Sequence, residues 1–200
     1  MNNILSYETL TEFEDLLCQY TGAPYCVLTD SCTHAIELCL RQQNVKSVAM
    51  PRHTYISALM VLHKLNIDVE FNDVEWQYEY NYLGSKIWDS ARGFCSGMYR
   101  PGQMQCLSFG HTKRLQIGHG GAILLDNKEE YTQLKRMAYD GRDLSVEPWQ
   151  LQPFWKVGYH YNMRLEDAAK GIEMLTSHQL RPIATQLVRY PDVSKIKIEN

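Results

Sequence analysis

No stretch of this chain approaches the roughly 18–20 consecutive apolar residues that a membrane-spanning helix needs. The opening, MNNILSYETLTEFED, has no basic segment followed by an apolar one, so no secretory leader is expected. Cationic excess is missing too: 20 Lys and Arg stand against 23 Asp and Glu, for a net charge of -3. A protein that grips nucleic acid by neutralising phosphates carries the opposite balance, so nucleic acid is not an expected partner. Six cysteines (Cys18, Cys26, Cys32, Cys39, Cys95, Cys106) include no Cys-x-x-Cys pair. A disulfide framework belongs to shorter secreted chains, so these read as reduced, mostly buried thiols of a cytoplasmic protein. No internal repeat, low-complexity tract or linker divides the 200 residues, and one domain over 1–200 is expected.

What is present is the composition of a globular chain, 44% apolar and 22% charged. Leu10, Phe13, Leu16, Leu17 and Tyr20 recur at helical spacing, with Gly22 as a stop. YCVLT is a short buried strand, and THAIELCLRQQ a helix with Thr33 available to cap it. A strand at 47–50, a helix at 54–66 and a strand at 68–74 follow. This alternation predicts an α/β fold with a mainly parallel central sheet between helices. Residues 75–86 break the rhythm; their aromatics in a polar setting predict an exposed loop or surface patch. IWD, MQCLSF and GGAILLD read as further strands, NKEEYTQLKRMAYDG as a helix capped by Asn127, 143–160 as loop, and 163–180 as a last helix.

The common motifs are also missing. There is no GxxxxGK[ST], no GxGxxG after a strand, no GxSxG and no HExxH. His111 and His119 lie eight apart, which matches no common zinc spacing, and no metal site is expected. Four predicted strand ends carry polar residues instead: TDSCTH, PRHTY, DSAR and SFGHTK. Ligands of open α/β sheets bind at such ends. An aldehyde cofactor held by a lysine fits them. Pyridoxal phosphate needs a lysine, a carboxylate for its ring nitrogen, a phosphate cradle at a helix start and often an aromatic face. Lys113, Asp89, the SCTH helix start and Tyr55 offer these in turn. Each has an ordinary alternative: Lys113 as a solvated turn residue, Asp89 as a helix cap, Tyr55 as packing, Ser108 as a turn cap.

The same segments resemble the DegT/StrS-type sugar aminotransferases in family order. MPRHTYISALMVLHKLNIDVEFNDV, IWDSARGF, CLSFGHTKRLQIGHGGAILLD and GYHYNMRLEDAAKGIEML match that family's successive motifs, the lysine segment most specifically. The likeness covers about residues 10–176. It implies the large-domain fold of fold-type I pyridoxal-phosphate enzymes. It implies transfer of an amino group from an amino acid such as glutamate onto a keto-sugar nucleotide, in a homodimer with shared active sites. Lys113 would carry the cofactor and move protons, and Asp89 would pair with the ring nitrogen. Tyr55 would stack on the ring. Cys32, Thr33 and Ser108 would hold the phosphate, and Asn162, in competition with His160, would reach the neighbour's cofactor. Arg92 stands where the family has glutamine, bringing a full charge to the cofactor's ring oxygen. Arg114 follows the lysine where asparagine is common. The stretch before Asp89 is short, and the family's small C-terminal domain is expected to be absent. The other functional class consistent with these departures is a non-catalytic, regulatory homologue that kept the cofactor pocket. A sugar dehydratase is disfavoured, because relatives with that chemistry replace the lysine by histidine.

Overall fold

A computed structural model describes residues 5–183, 185 and 188–198. The elements are α1 (Tyr7–Thr21), β1 (Tyr25–Thr29), α2 (Cys32–Gln42), β2 (Ser47–Pro51), α3 (Ile56–Lys64), β3 (Asp68–Asn72), β4 (Tyr80–Asn81), β5 (Ile87–Asp89), β6 (Met104–Ser108), β7 (Gly121–Leu125), α4 (Lys128–Ala138) and α5 (Leu165–Thr176). Short 3-10 turns span Trp149–Leu151 and Val193–Lys195.

Five strands form one sheet in the order β1-β7-β6-β5-β4, and β2 pairs with β3 beside it. Ala49 and Leu83 exchange two backbone hydrogen bonds, of 3.1 and 2.9 Å, which join the two sheets edge to edge. β5 and β6 pair in parallel, as do β2 and β3, while β7 and β4 run antiparallel to their neighbours. β1, β2, β3, β5 and β6 therefore share one direction, and their C-terminal ends form one rim.

The expected helices and strands are present, with two corrections. The first concerns residues 75–86. Trp76, Tyr78, Tyr80 and Tyr82 alternate with polar residues, which is strand spacing. Tyr80 and Tyr82 sit on the inner face of the β4–β5 hairpin and are core residues, not a surface patch. The second concerns the cap of α2. Ser31, not Thr33, caps it: its hydroxyl accepts from His34 N–H at 3.2 Å, and Thr33 Oγ1 lies 2.8 Å from Ser57 Oγ. Gly22, in the left-handed region at φ 82°, ends α1, and Asn127 caps α4.

The core runs through the strands β1, β6 and β7, whose apolar residues are almost wholly buried. α2 packs across β5, β6 and β7 and touches α3 and α4, while α1 packs on β1 and α5. Gly121 brings α2 down onto the sheet. A Cβ there would lie 2.5 Å from the Cys32 nitrogen. All six cysteines are free, and Cys26, Cys32, Cys39 and Cys106 are buried. Among the described residues, no helix is long and apolar enough to cross a membrane, and no cluster of potential ligands could hold a metal.

Candidate active site

The rim at the C-terminal ends of β5 and β6 brings Asp89, Ser108 and Lys113 together beside Cys32. Asp89 ends β5 and is buried. Its Oδ1 accepts from Ala91 N–H at 3.0 Å, and its Oδ2 accepts from the Tyr80 hydroxyl at 3.2 Å. Burial pushes its carboxyl above the ordinary range, against the Ala91 N–H, the Lys113 charge and the Tyr80 hydroxyl, which lower it. Tyr80 in turn accepts from Thr54 Oγ1 at 3.1 Å and lies 3.4 Å from the Tyr82 hydroxyl. The sequence reading missed Tyr80; the alternation of aromatics at 76–82 was the signal that could have found it.

Lys113 sits on the turn after β6, its N–H donating to Gly110 O at 2.9 Å. Glycine at 110 leaves room between the side chains of Ser108 and Lys113, whose nearest atoms a Cβ would meet at 3.8 and 3.9 Å. Burial holds the Lys113 amine below its usual range. Cys32 and Asp89 pull it back up, and the Arg92 charge lowers it further. A half-buried amine with a depressed proton affinity is the form that attacks a carbonyl. The turn lysine is therefore not a solvated surface group.

The start of α2 lies beside this turn. Ser108 pairs with Gly121, which the Cys32 backbone nearly touches. The first-turn N–H groups of Cys32 and Thr33 are donors the helix itself cannot use, at the positive end of its dipole. The side chains of these two residues play another part. Cys32 Sγ points inward to Cys106 O at 3.6 Å, and burial raises its thiol well above the ordinary range, so it is no nucleophile. What Cys32 and Thr33 offer an anion is backbone.

Tyr55, at the N-cap of α3, is 61% exposed, so its ring is free of the core. Arg92 donates to Gln77 O at 2.8 Å, and its charge reaches Lys113. Of the other arginines near the rim, Arg52 pairs with Asp73, Arg100 with Glu79, and Arg114 donates to Phe94 O at 3.1 Å. Asn162 is half-buried in a segment held to α2's approach by Asp30 N–H donating to Tyr161 O at 2.7 Å. His160 pairs with Asp140, and His34 stacks on Tyr161 with ring centroids 3.6 Å apart.

A mixed sheet whose strand-end rim gathers a buried carboxylate, a lysine of lowered proton affinity and a helix N-terminus has the plan of a large domain of fold-type I pyridoxal-phosphate enzymes. The chain belongs to the DegT/DnrJ/EryC1/StrS aminotransferase family, whose sequence model matches residues 1–88 and 87–180. No curated protein matches it. Among solved structures it resembles 3-amino-5-hydroxybenzoic acid synthase, at 19% identity and TM-score 0.70 over 84% of this chain and 56% of that one. It resembles NtdA of Bacillus subtilis, solved with bound cofactor PMP, at 19% identity and TM-score 0.68 over 84% and 47%. It also resembles Helicobacter pylori PseC, an aminotransferase involved in the biosynthesis of pseudoaminic acid, at 13% identity and TM-score 0.68 over 86% and 58%. The chain thus spans about half the length of these proteins.

Proposed function

We propose that this chain binds pyridoxal 5'-phosphate and transfers an amino group from an amino-acid donor, glutamate, to a keto-sugar nucleotide. The observation that carries the reading is the meeting of Lys113 and Asp89 on one rim beside the N-terminus of α2. The residues fit the cofactor. The lowered Lys113 amine suits bonding to its aldehyde, and Asp89, short of hydrogen bonds for a buried carboxylate, suits a protonated ring nitrogen. The N–H groups of Cys32 and Thr33, with Ser108 Oγ, suit its phosphate, and the exposed Tyr55 ring suits its face. Bound there, the cofactor would act as an electron sink for the amino acid's α-carbon.

Lys113 would hold the cofactor and, when free of it, would move a proton between the carbons that exchange oxidation state. Asp89 would pair with the ring nitrogen. Arg92, beside Lys113, suits an anionic group of donor or acceptor. Sharing of the site in a homodimer, with Asn162 reaching the partner's cofactor, belongs to the same reading. Trp149, Leu151, Phe154, Trp155 and Val157 stand exposed on the loop before Asn162, which suits burial against a second copy.

The test begins with borohydride treatment of the cofactor-loaded protein, which should fix the cofactor to Lys113 as read by peptide mass. Glutamate should then bleach the visible band and one 4-keto-6-deoxy sugar nucleotide should restore it, with a dimer in sedimentation. Cofactor fixed to Lys113 with no donor able to bleach the band would replace the enzyme by the regulatory homologue.

A further inference from the structure

Past α5 the chain turns back across the rim. Arg181 N–H donates to Arg114 O at 2.9 Å, on the turn that carries Lys113. Thr185 O accepts from Gln77 Nε2 at 3.0 Å. The Tyr190 ring stacks on Trp76, with centroids 5.4 Å apart and planes 12° from parallel. Its carbonyl accepts from His53 Nδ1 at 3.2 Å, which fixes the proton on that ring nitrogen. Val193, fully buried, donates its N–H to Arg52 O at 2.8 Å and anchors the end of the segment.

The β3–β4 loop meets this tail from the other side. Trp76 Nε1 donates to His53 O at 2.9 Å. The next residue, Gln77, holds the tail by its side chain and receives Arg92 on its carbonyl. Tyr190 is half-buried, its hydroxyl raised by burial and within reach of the charges of Arg92 and Asp89 and of the Tyr55 phenol. Residues 52–55, 76–77, Thr185 and 190–193 are therefore stitched together beside Lys113 and Asp89.

We propose that Tyr190 is a positioning residue: by stacking on Trp76 it holds the Trp76–Gln77 turn, and through it Arg92, as the wall of the Lys113–Asp89 site. The proposal rests on reading that site as the cofactor site. It assigns the tail a part in the chemistry of this chain, shielding Lys113 and fixing the arginine beside it. The hydroxyl is not required for the stack, so phenylalanine should serve as well as tyrosine.

The test follows Lys113 itself. The cofactor-free chain is treated with trinitrobenzenesulfonate across pH, and labelling is read lysine by lysine. In Tyr190→Ala the limiting rate at Lys113 should rise about three- to tenfold, the size of one aromatic pair. The midpoint of the pH profile should move up, as burial and the Arg92 charge are relieved. Trp76→Ala should do the same, the double variant no more than either single one, and Tyr190→Phe nothing. Pyridoxal phosphate should leave the alanine variants faster by a similar factor. An unchanged Lys113 profile in both alanine variants, effects that multiply in the double variant, or an equal rise at Lys135, which pairs with buried Glu14, would overturn the assignment. If the wild type takes up no cofactor, the cofactor reading falls, while the labelling comparison still decides the role of Tyr190.

Discussion

At the residue scale, the consequential group is Asp89. Burial raises its carboxyl from 3.8, so between that value and the raised one the folded chain holds a proton that the unfolded chain has lost. Stability of the cofactor-free protein falls as pH rises through that window. Ionising this carboxyl is costlier in the fold than in the unfolded chain, and Asp89→Asn should stabilise the empty protein at neutral pH by roughly 0.5–2 kcal/mol while weakening cofactor binding. Denaturant unfolding at neutral pH and again below the ordinary aspartate range measures this; the gain should vanish at the lower pH. The meeting of Asp89 and Lys113 was legible in the sequence because Asp89 ends an apolar run, Lys113 stands in the polar turn after another, and each lies in a family motif. Tyr80 was not, because its hydrogen bond to Asp89 depends on which residue of a two-residue strand lies opposite. The inward turn of Cys32 was likewise invisible, since the first turn of a helix points side chains in several directions.

At the element scale, the approach of α2 to the sheet rests on Gly121. A Cβ there would sit 2.5 Å from two backbone atoms of α2 and 2.8 Å from Leu107 O, none of which is a side chain that can swing aside. Gly121→Ala should therefore cost about 1–3 kcal/mol of stability, as overpacking does. It should also weaken phosphate binding at the Cys32 and Thr33 N–H groups. Thermal unfolding and a cofactor titration read the two effects separately; an alanine variant that unfolds like wild type and binds pyridoxal phosphate normally would show that α2 needs no such approach. The paired glycines were plain in the sequence, but their partner, 89 residues upstream of Gly121 at Cys32, was not. The same holds for the α2 cap. Ser31 and Thr33 both offer a hydroxyl, and the bridge from Ser31 to Gly120 decides between them. Hairpin β4–β5 escaped because two residues of strand are too few for a pattern, although the four alternating aromatics carried it.

At the scale of the whole molecule, the helix–strand alternation was enough to foresee the layers and the common direction of β1, β2, β3, β5 and β6. Strand order was not foreseeable, because β1 and β7 lie side by side although their last and first residues, Thr29 and Gly121, are 92 positions apart. One feature of that order governs how the sheet breathes. Among the described residues, the β2–β3 pair is tied to the rest of the sheet through a single bridge, Ala49 to Leu83, where every other seam has a longer ladder. Opening that seam breaks two backbone hydrogen bonds, whereas opening β6 from β7 breaks a ladder in the middle of the core. Amide exchange should therefore divide the sheet into two cooperative units. Protons on β2, β3 and Leu83 should exchange together, at a lower opening free energy than those on β1, β6 and β7. Because Arg52 and Tyr55 follow β2 while Lys113 follows β6, the two units hold opposite sides of the site, and a ligand that bridges the rim should slow exchange on both at once.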